Sequence, residues 1–178
     1  MKKITYLFAL FFVTSIIFPS CGARRTAGQD PATYDVGVVI DGVRWATRNV
    51  DTPGSFTKNP EDAGGLFTWY EAQNACPCGW RLPTREELQS LANANDEWII
   101  KDGVNGRIFG TAPNQLFLPA AGWRHWLTGA LRFVGAVGNY WSSTPSGSFA
   151  WDLGFHSGFS YVHSRNRATG FSVRCVAE

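Results

Sequence analysis

The spacing of apolar side chains between Arg85 and Asn93 predicts a short amphipathic helix. Leu88, Leu91 and Ala92 recur at intervals of three and four residues, which places them on one face of an α-helix. The positions between them are mostly polar or charged. We therefore expect a helix from about Arg85 to Asn93 whose apolar face is buried.

The residues before this helix carry a start signal. Thr84 is followed three residues later by Glu87, which is the pattern of a capping box. In this arrangement the threonine hydroxyl accepts the backbone N–H of the glutamate, and the carboxylate accepts the N–H of the threonine. Pro83 favours an extended backbone just before the cap. Another short helix is expected at residues 69–75.

Short apolar runs around Gly-containing dipeptides predict strands and turns elsewhere. Residues 36–40 and 43–48 flank Asp41-Gly42, a dipeptide that supplies the positive φ angles of a tight hairpin turn. Residues 51–66 are rich in Pro, Gly, Asn and Asp and predict a surface loop.

Two further turn signals and one strand follow the capped helix. Asp102-Gly103 and Asn105-Gly106 lie within residues 98–110, between short apolar runs. Residues 115–118 are expected to form a strand that runs into Pro119.

Residues 149–155 alternate in a way that is typical of a strand with one buried face. The apolar positions are the odd-numbered ones, Phe149, Trp151, Leu153 and Phe155. The positions expected to face solvent are Ser148, Asp152, Gly154 and His156. Beyond a turn at residues 157–158, we expect Phe159, Tyr161 and His163 to share a face.

The N-terminal residues form an export signal. Lys2 and Lys3 precede an apolar run at residues 4–18, and Cys21 follows, so residues 1–20 are interpreted as a signal peptide with a lipobox-like end. The run is short for a transmembrane helix. We expect lipidation of Cys21 and a polar tether at residues 21–34. Cleavage after Ala23 without a lipid is the alternative.

Residues 35–178 are long enough for one hydrophobic core. The sequence holds 19 glycines, 15% aromatic and 17% charged residues, a composition that suits a loop-rich extracytoplasmic domain. A net charge of +2 argues against nucleic acid as a partner. From Trp123 onward the chain has five arginines and only two acidic residues, Asp152 and Glu178, so the C-terminal third is basic.

Three sequence blocks occur in a specific order: CPCGWRLPTREEL at 76–88, YWSST at 140–144 and GFSVRCV at 170–176. With these blocks, the chain resembles the Fibrobacter succinogenes major paralogous domain family of Bacteroidetes lipoproteins over residues 38–176. It is more distantly similar to sulfatase-modifying-factor and C-type-lectin-like proteins. The resemblance implies a single C-type-lectin-like α+β domain with two short helices, a small antiparallel sheet and long loops.

The resemblance also implies a disulfide. C-type-lectin-like domains join a helix to the last strand, and Cys76 and Cys175 occupy the matching positions. Export makes a disulfide compatible with the compartment. Cys78 is then left over as a free thiol. It is too close to Cys76 for a relaxed bridge, and a zinc site lacks a second cysteine pair.

The composition changes between Pro119 and Val176. This stretch has no Lys, Glu, Gln, Met or Ile, and it holds all three histidines. Its exposed residue types are ones reached from an AAC codon when the adenines are randomised. With its framework blocks, the stretch resembles the target proteins of diversity-generating retroelements. The resemblance implies candidate variable, ligand-binding positions at His125, Trp126, Leu127, Arg132, Phe133, Ala136, Val137, Asp152, Gly154, His156, Phe159, Tyr161, His163, Ser164 and Arg165.

Trp126 departs from this pattern, since tryptophan is not reached from AAC, and it is either framework or derived from another codon. Any one of these positions taken alone is explained as an ordinary surface residue. Taken together, their aromatic and arginine-rich composition is typical of binding hot spots and antibody-like paratopes. We therefore expect a monomeric outer membrane lipoprotein, facing the cell surface or the periplasm, that binds an unknown protein or glycan.

Other functions are less well supported by the residues. An enzyme related to formylglycine-generating proteins would depend on Cys78, which no motif pairs with a base. A calcium lectin would need clustered carboxylates, and a three-histidine zinc site has no reliable spacing. We expect no catalytic residues, no metal and no cofactor. A fixed-specificity structural or pilus-associated surface component remains the alternative to a diversified receptor.

Overall fold

A computed structural model describes Asp30 and residues 32–178. The predicted signal peptide at residues 1–20 and the lipidation site Cys21 lie outside the described residues, as does most of the tether. Within the described part, no helix is long and apolar enough to cross a membrane.

The structure is mostly β, with two short helices. The strands are β1 (Val38–Ile40), β2 (Val43–Trp45), β3 (Trp80–Arg81), β4 (Asp96–Lys101), β5 (Val104–Thr111), β6 (Asn114–Pro119), β7 (Trp123–Arg124), β8 (Leu131–Arg132), β9 (Val137–Ser146), β10 (Phe149–His156), β11 (Ser160–Asn166) and β12 (Val176–Ala177). The helices are α1 (Trp69–Ala72) and α2 (Arg85–Asn93). The small antiparallel sheets have the orders β1-β2-β12-β3, β4-β5-β6, β9-β10-β11 and β7-β8.

The first sheet brings the two ends of the domain together. The hairpin of β1 and β2 turns at Asp41 and Gly42, whose φ angles are 48° and 81°, which confirms the predicted Asp-Gly turn. The last strand, β12, pairs with β2 through Val176 and Trp45 and also pairs with β3. Closing the domain therefore requires the C-terminal residues.

Helix α2 has the predicted bounds and the predicted cap. The N–H of Glu87 donates to the Thr84 hydroxyl at 3.2 Å, and the N–H of Thr84 donates to the Glu87 carboxylate at 2.7 Å. Leu88 and Leu91 are buried. The Arg81 guanidinium binds the same carboxylate and ties β3 to the start of α2.

Helix α1 is shorter than the predicted span of residues 69–75. A second capping box, formed by Thr68 and Glu71, starts it. It ends at Ala72, and the N–H of Ala75 donates to the carbonyl of Ala72 in a tighter turn. The prediction therefore extended three residues past the observed end of the helix.

One of the two later turn signals is confirmed and the other is wrong. Asp102 and Gly103 have φ angles of 49° and 81° and join β4 to β5. Asn105 and Gly106 instead lie inside β5. A Cβ atom at Gly106 would come within 2.5 Å of the Phe117 ring, so this glycine is required by close packing and not by a turn.

A disulfide joins Cys76 to Cys175 across 99 residues, as the resemblance implied. The prediction that Cys78 is a free thiol is wrong, because Cys78 is disulfide-bonded as well. None of the described cysteines is free. A cysteine sulfur in a disulfide is not a free thiolate and does not act as a nucleophile.

The arginine of the GFSVRCV block is buried in a polar network. Arg174 is 1% exposed, and its guanidinium donates to the Asn49 side chain and to the carbonyl of Ala46. Asn49 in turn donates to the Tyr140 hydroxyl, which donates to the carbonyl of Pro119. The network joins the N-terminal, central and C-terminal parts of the chain.

Candidate functional site

The third sheet, β9-β10-β11, places the candidate residues. Leu153 and Phe155 of β10 are fully buried, as the alternation predicted. Phe149 is 46% exposed, which is the reverse of the prediction, and its neighbour Ala150 is fully buried. The pairing register with β9 shifts between Ala150 and Asp152, and this irregularity interrupts the strict alternation at the start of the strand.

The prediction that Asp152 and Gly154 face solvent is wrong. Both lie on the face opposite Leu153, but side chains from the neighbouring strands cover that face, and Asp152 is 0% exposed. A Cβ atom at Gly154 would come within 2.8 Å of the Tyr161 ring and 3.0 Å of the His163 ring. A neighbouring strand therefore buries residues that the pattern within one strand marks as outward-facing.

Four rings follow one another along this covered face. His156 contacts Phe159 with 4.4 Å between ring centroids, and Phe159 lies 5.5 Å from Tyr161. Tyr161 lies 4.8 Å from His163. The predicted shared face of Phe159, Tyr161 and His163 is confirmed. Phe159, which is 57% exposed, is the most exposed ring of the row and contacts His156 at its end.

At the end of this row, His163 contacts the fully buried side chain of Asp152. The Nδ1 atom of His163 is 3.6 Å from Oδ1 of Asp152, while Oδ2 of Asp152 accepts from the Asn139 amide at 3.0 Å. Burial raises the pKa of Asp152 well above its usual range. Burial, helped by the positive charge of Arg165, lowers the pKa of His163 to about 4. Both groups therefore favour their neutral forms.

A cleft of about 530 Å³ opens between β11, the β7-β8 hairpin and the segment that follows β11; we call it the aromatic cleft. Among the candidate positions, those that line it are His125, Trp126, Phe133, Val137, Tyr161, Ser164 and Arg165. The fold thus gathers residues that are up to 40 positions apart in the sequence, from His125 to Arg165, on one concave surface.

The β7-β8 hairpin forms one wall of the aromatic cleft. The rings of Trp123 and Phe133 are stacked with 6.3 Å between centroids, and His125 stacks on Trp126 at 5.9 Å. The Nδ1 atom of His125 accepts the N–H of Leu127 at 3.2 Å, which holds the hairpin turn. This histidine has a structural role in addition to its place in the wall.

The other candidate positions do not line the aromatic cleft. Leu127, Arg132 and Ala136 are exposed on the hairpin side, and His156 and Phe159 lie at the far end of the ring row. The covered ones are Asp152, Gly154 and His163.

Several cleft residues were not among the candidates. They are Trp123, Asn139, Phe149, Asn166, Thr169 and Phe171. Phe171 belongs to the GFSVRCV block and packs on Trp141 with 4.4 Å between ring centroids. Its apolar character alone predicts a core position. The signal that could have found Trp123 is its place two residues before the candidate His125 in the sequence.

The charge of the cleft is positive and uncompensated. No aspartate or glutamate is among the residues that line it, whereas Arg165 is exposed there. Within residues 32–178, no carboxylate lies within ion-pair distance of Arg165. Arg167 is different, because it donates to the carbonyls of Phe149 and Gly147. The cleft therefore offers one uncommitted cation next to a set of rings.

The described residues contain no group of three or more His, Cys, Asp or Glu side chains that could hold a metal ion. What the arrangement offers is a concave apolar surface with a few polar groups, which is the usual composition of a binding site.

Residues 39–177 match the family described as the Lcl C-terminal domain. No curated protein and no solved structure matches the chain.

Proposed function

Because the chain belongs to the family of Lcl C-terminal domains, a surface-associated family, we propose that it is an exported binding protein that holds its ligand in the aromatic cleft. The family match supports the resemblance of its motifs to the major paralogous domain family. The observation that carries the proposal is the cleft itself, which gathers seven of the candidate positions on one concave surface.

The exposure of large apolar side chains supports this assignment. Trp126 is 52% exposed, and Phe133 and Val134 are each 63% exposed on the same hairpin. Clustered exposed apolar side chains usually mark a surface that another molecule covers. Rigid aromatic rings bury much area for little loss of conformational entropy, and aromatic residues and arginine are enriched among the residues that dominate binding energy.

The scaffold suits such a role. We propose that it is a C-type-lectin-like domain, in which the Cys76–Cys175 bond and the pairing of β12 with β2 hold the chain ends while the loops form the binding surface. A rigid support reduces the entropy lost on binding. The proposed ligand is a protein or a glycan, and the proposed role involves no catalysis, cofactor or nucleic acid.

We further propose that a retroelement diversifies the exposed candidate positions. Phe133 and Tyr161 lie at the cleft, where substitutions change the ligand surface and not the core packing. Deep sequencing of the 3′ end of the gene across sibling isolates tests this. Substitutions concentrated at exposed candidate positions, with GNYWSS and GFSVRCV unchanged, are the expected result. An invariant 3′ end without an adenine-differing near-copy nearby would leave a fixed-specificity surface protein.

The proposed anchor is a lipid on Cys21, in the outer membrane, with the domain acting as a monomer. A lipidated cysteine sulfur cannot also form a disulfide, so this proposal excludes Cys21 as the disulfide partner of Cys78 in the lipidated protein. Metabolic labelling with an alkyne fatty acid, compared between the wild type and Cys21→Ala, tests the anchor. We expect label on the wild type alone. Equal labelling of both proteins would contradict lipidation at this cysteine.

Binding in the cleft is tested on panels of defined glycans and purified proteins. Tyr161→Ala and Phe133→Ala are expected to weaken a panel interaction on the order of tenfold or more, because each removes a ring from the cleft. Tyr70→Ala is the matched control, since Tyr70 is 63% exposed but lies outside the cleft. Equal effects of Tyr70→Ala and Tyr161→Ala on every interaction would place the binding surface elsewhere.

A further inference from the structure

The β7-β8 hairpin concentrates the exposed apolar side chains of the protein. Among the described residues, twelve large apolar side chains are exposed, and five of them lie between residues 126 and 134. A single exposed apolar side chain is ordinary, whereas a cluster marks a surface that another molecule covers. The five are Trp126, Leu127, Leu131, Phe133 and Val134.

The aromatic cleft accounts for two of these side chains and leaves three. Trp126 and Phe133 line the cleft, whereas Leu127, Leu131 and Val134 do not. We call these three residues the outer apolar set. Each of the three is more than 60% exposed, and a ligand held in the cleft does not explain their exposure.

The strand pairing places Leu131 on the side of the hairpin that faces away from the cleft. Leu131 pairs with Arg124, and Arg132 pairs with Trp123. Paired residues lie on the same face of a sheet and successive residues on opposite faces, so the side chains of Leu131 and Trp123 point in opposite directions. Because the Trp123 ring lines the cleft, Leu131 belongs to a separate surface.

The hairpin extends into solvent and its backbone is held at two points. Residues 126–129, 131–134 and 136 are exposed, and a Cβ atom at Gly129 would meet no other atom within 4 Å. The N–H of Gly129 donates to the carbonyl of His125, and the Asn105 amide donates to the carbonyl of Gly135. Apolar side chains on such an element can enter the boundary between lipid headgroups and acyl chains.

The charge of the hairpin favours an anionic partner. Arg132 is exposed, and among the described residues no carboxylate lies within ion-pair distance of it. The sequence has no aspartate or glutamate from Gly103 to Trp151. A symmetric contact with a second copy would bring two positive hairpins together, which disfavours self-association. Anionic phospholipid headgroups attract arginine, and the acyl region beneath them accepts apolar side chains.

We propose that the β7-β8 hairpin docks on the surface of a membrane that contains anionic phospholipid, with the outer apolar set in the interface and Arg132 at the headgroup phosphates. This inference goes beyond the proposed function and does not depend on the ligand of the cleft. Such a contact gives the domain a fixed orientation on the membrane.

The test uses the mature protein with Cys21→Ala, so that no lipid anchors it. Flotation measures binding to phosphatidylcholine vesicles with and without phosphatidylglycerol, and amide hydrogen exchange locates the contact. We expect binding to the vesicles that contain phosphatidylglycerol, weaker binding to the others, and protection of amides of residues 126–134.

A matched pair of double variants tests the outer apolar set. Leu131→Asn/Val134→Asn leaves the lining of the cleft intact, and we expect its vesicle binding to be at least about tenfold weaker. Val36→Asn/Tyr70→Asn is the control, because Val36 and Tyr70 are as exposed as the two hairpin residues but lie outside the hairpin. We expect the control to bind like the wild type.

A charge variant tests the headgroup contact. Arg132→Gln is expected to weaken binding to the phosphatidylglycerol vesicles about fivefold, because one arginine near an anionic surface contributes about 1 kcal/mol. Binding to phosphatidylcholine alone is expected to stay the same. Equal losses on both kinds of vesicle would contradict a role for Arg132 at the phosphates.

Three other results would overturn membrane docking by the hairpin. They are a lack of binding to every vesicle, equal losses in the two double variants, and binding that leaves residues 126–134 unprotected. A dimer that forms in place of vesicle binding and is lost in Leu131→Asn/Val134→Asn would assign the hairpin to a second copy, and would overturn it as well.

Tyr161→Ala separates this inference from the proposed function. We expect this variant to lose the cleft ligand and to keep vesicle binding. If its vesicle binding falls as far as that of Leu131→Asn/Val134→Asn, the lipid is held in the cleft and the inference fails. If a panel ligand binds equally well to Tyr161→Ala while the hairpin variants lose the vesicles, the proposed cleft site fails and membrane docking stands.

Discussion

The imidazole Nδ1 of His163 lies 3.6 Å from Oδ1 of Asp152, whose side chain is fully buried. Oδ1 of Asp152 and both ring nitrogens of His163 have no hydrogen-bond partner within the described part of the chain. Two ionisable groups at the base of the binding surface are thus held away from water, and each makes the stability of the domain depend on pH.

His163 is expected to destabilise the domain in acid. Its pKa in the folded protein is lowered to about 4, below the ordinary value of about 6.5. The unfolded chain therefore takes up a proton between these pH values while the folded chain does not, so this contribution to stability falls as the pH falls from about 6.5 to 4. Urea unfolding at several pH values measures it. We expect His163→Gln to lose less stability than the wild type over this range, and an unchanged pH profile would contradict the prediction.

The contribution of Asp152 to stability changes with pH in the opposite direction to that of His163. Its pKa is raised in the folded protein by burial, so its contribution to stability is present in acid and is lost as the pH rises above the ordinary aspartate value. Asp152→Asn removes this loss, and we expect its free energy of unfolding at pH 8 to exceed that of the wild type by about 1 kcal/mol. Asp51→Asn, at an exposed position, is the matched control and is expected to change stability by less than about 0.5 kcal/mol. A less stable Asp152→Asn variant at pH 8 would show that the carboxylate has a partner that the contact does not reveal.

The Cys76–Cys175 bond should provide a large part of the stability. It closes a loop across 99 residues, and chain-entropy models assign about 4.7 kcal/mol to a loop of this size. We expect the double variant Cys76→Ser/Cys175→Ser to lose about 2 to 5 kcal/mol in urea unfolding under non-reducing conditions. A variant as stable as the wild type would mean that the unfolded chain is already compact in this region.

Gly138 of the GNYWSS block is required by packing. A Cβ atom there would come within 2.2 Å of the Phe155 ring, which is fully buried. We expect Gly138→Ala to lower the free energy of unfolding by about 1 to 3 kcal/mol. Gly158→Ala is the control, because its Cβ would meet only the ring of His156, a partly exposed side chain at the β10-β11 turn. Similar effects of the two substitutions would indicate that the Phe155 ring can shift.

Local signals in the sequence predict the local structure well. The cap formed by Thr84 and Glu87 sets the start of α2, and the positive φ angles of Asp41-Gly42 and Asp102-Gly103 set two hairpins. Each of these features depends on atoms that are at most a few residues apart. The disulfide was predicted because its family pattern fixes two positions.

Features that depend on distant segments were missed. Asp152 is buried between β9 and β11, and the pairing register with β9 shifts beside Ala150; neither feature is visible within residues 149–155. The buried Arg174 and the cleft residue Phe171 have the same origin. Their roles follow from segments more than 100 positions away in the case of Asn49, and from the packing of Trp141 in the case of Phe171.

The residues that complete the fold lie after the cleft residues in the chain, so folding depends on a correct reading frame through the cleft-forming stretch. The last strand, β12, and the residues Arg174 and Cys175 are encoded after the whole of the cleft-forming stretch, yet they complete the first sheet, the buried polar network and the disulfide. A shift of the reading frame anywhere in that stretch would replace all three at once. Every copy of the protein that folds therefore carries an in-frame cleft, whatever side chains it displays there.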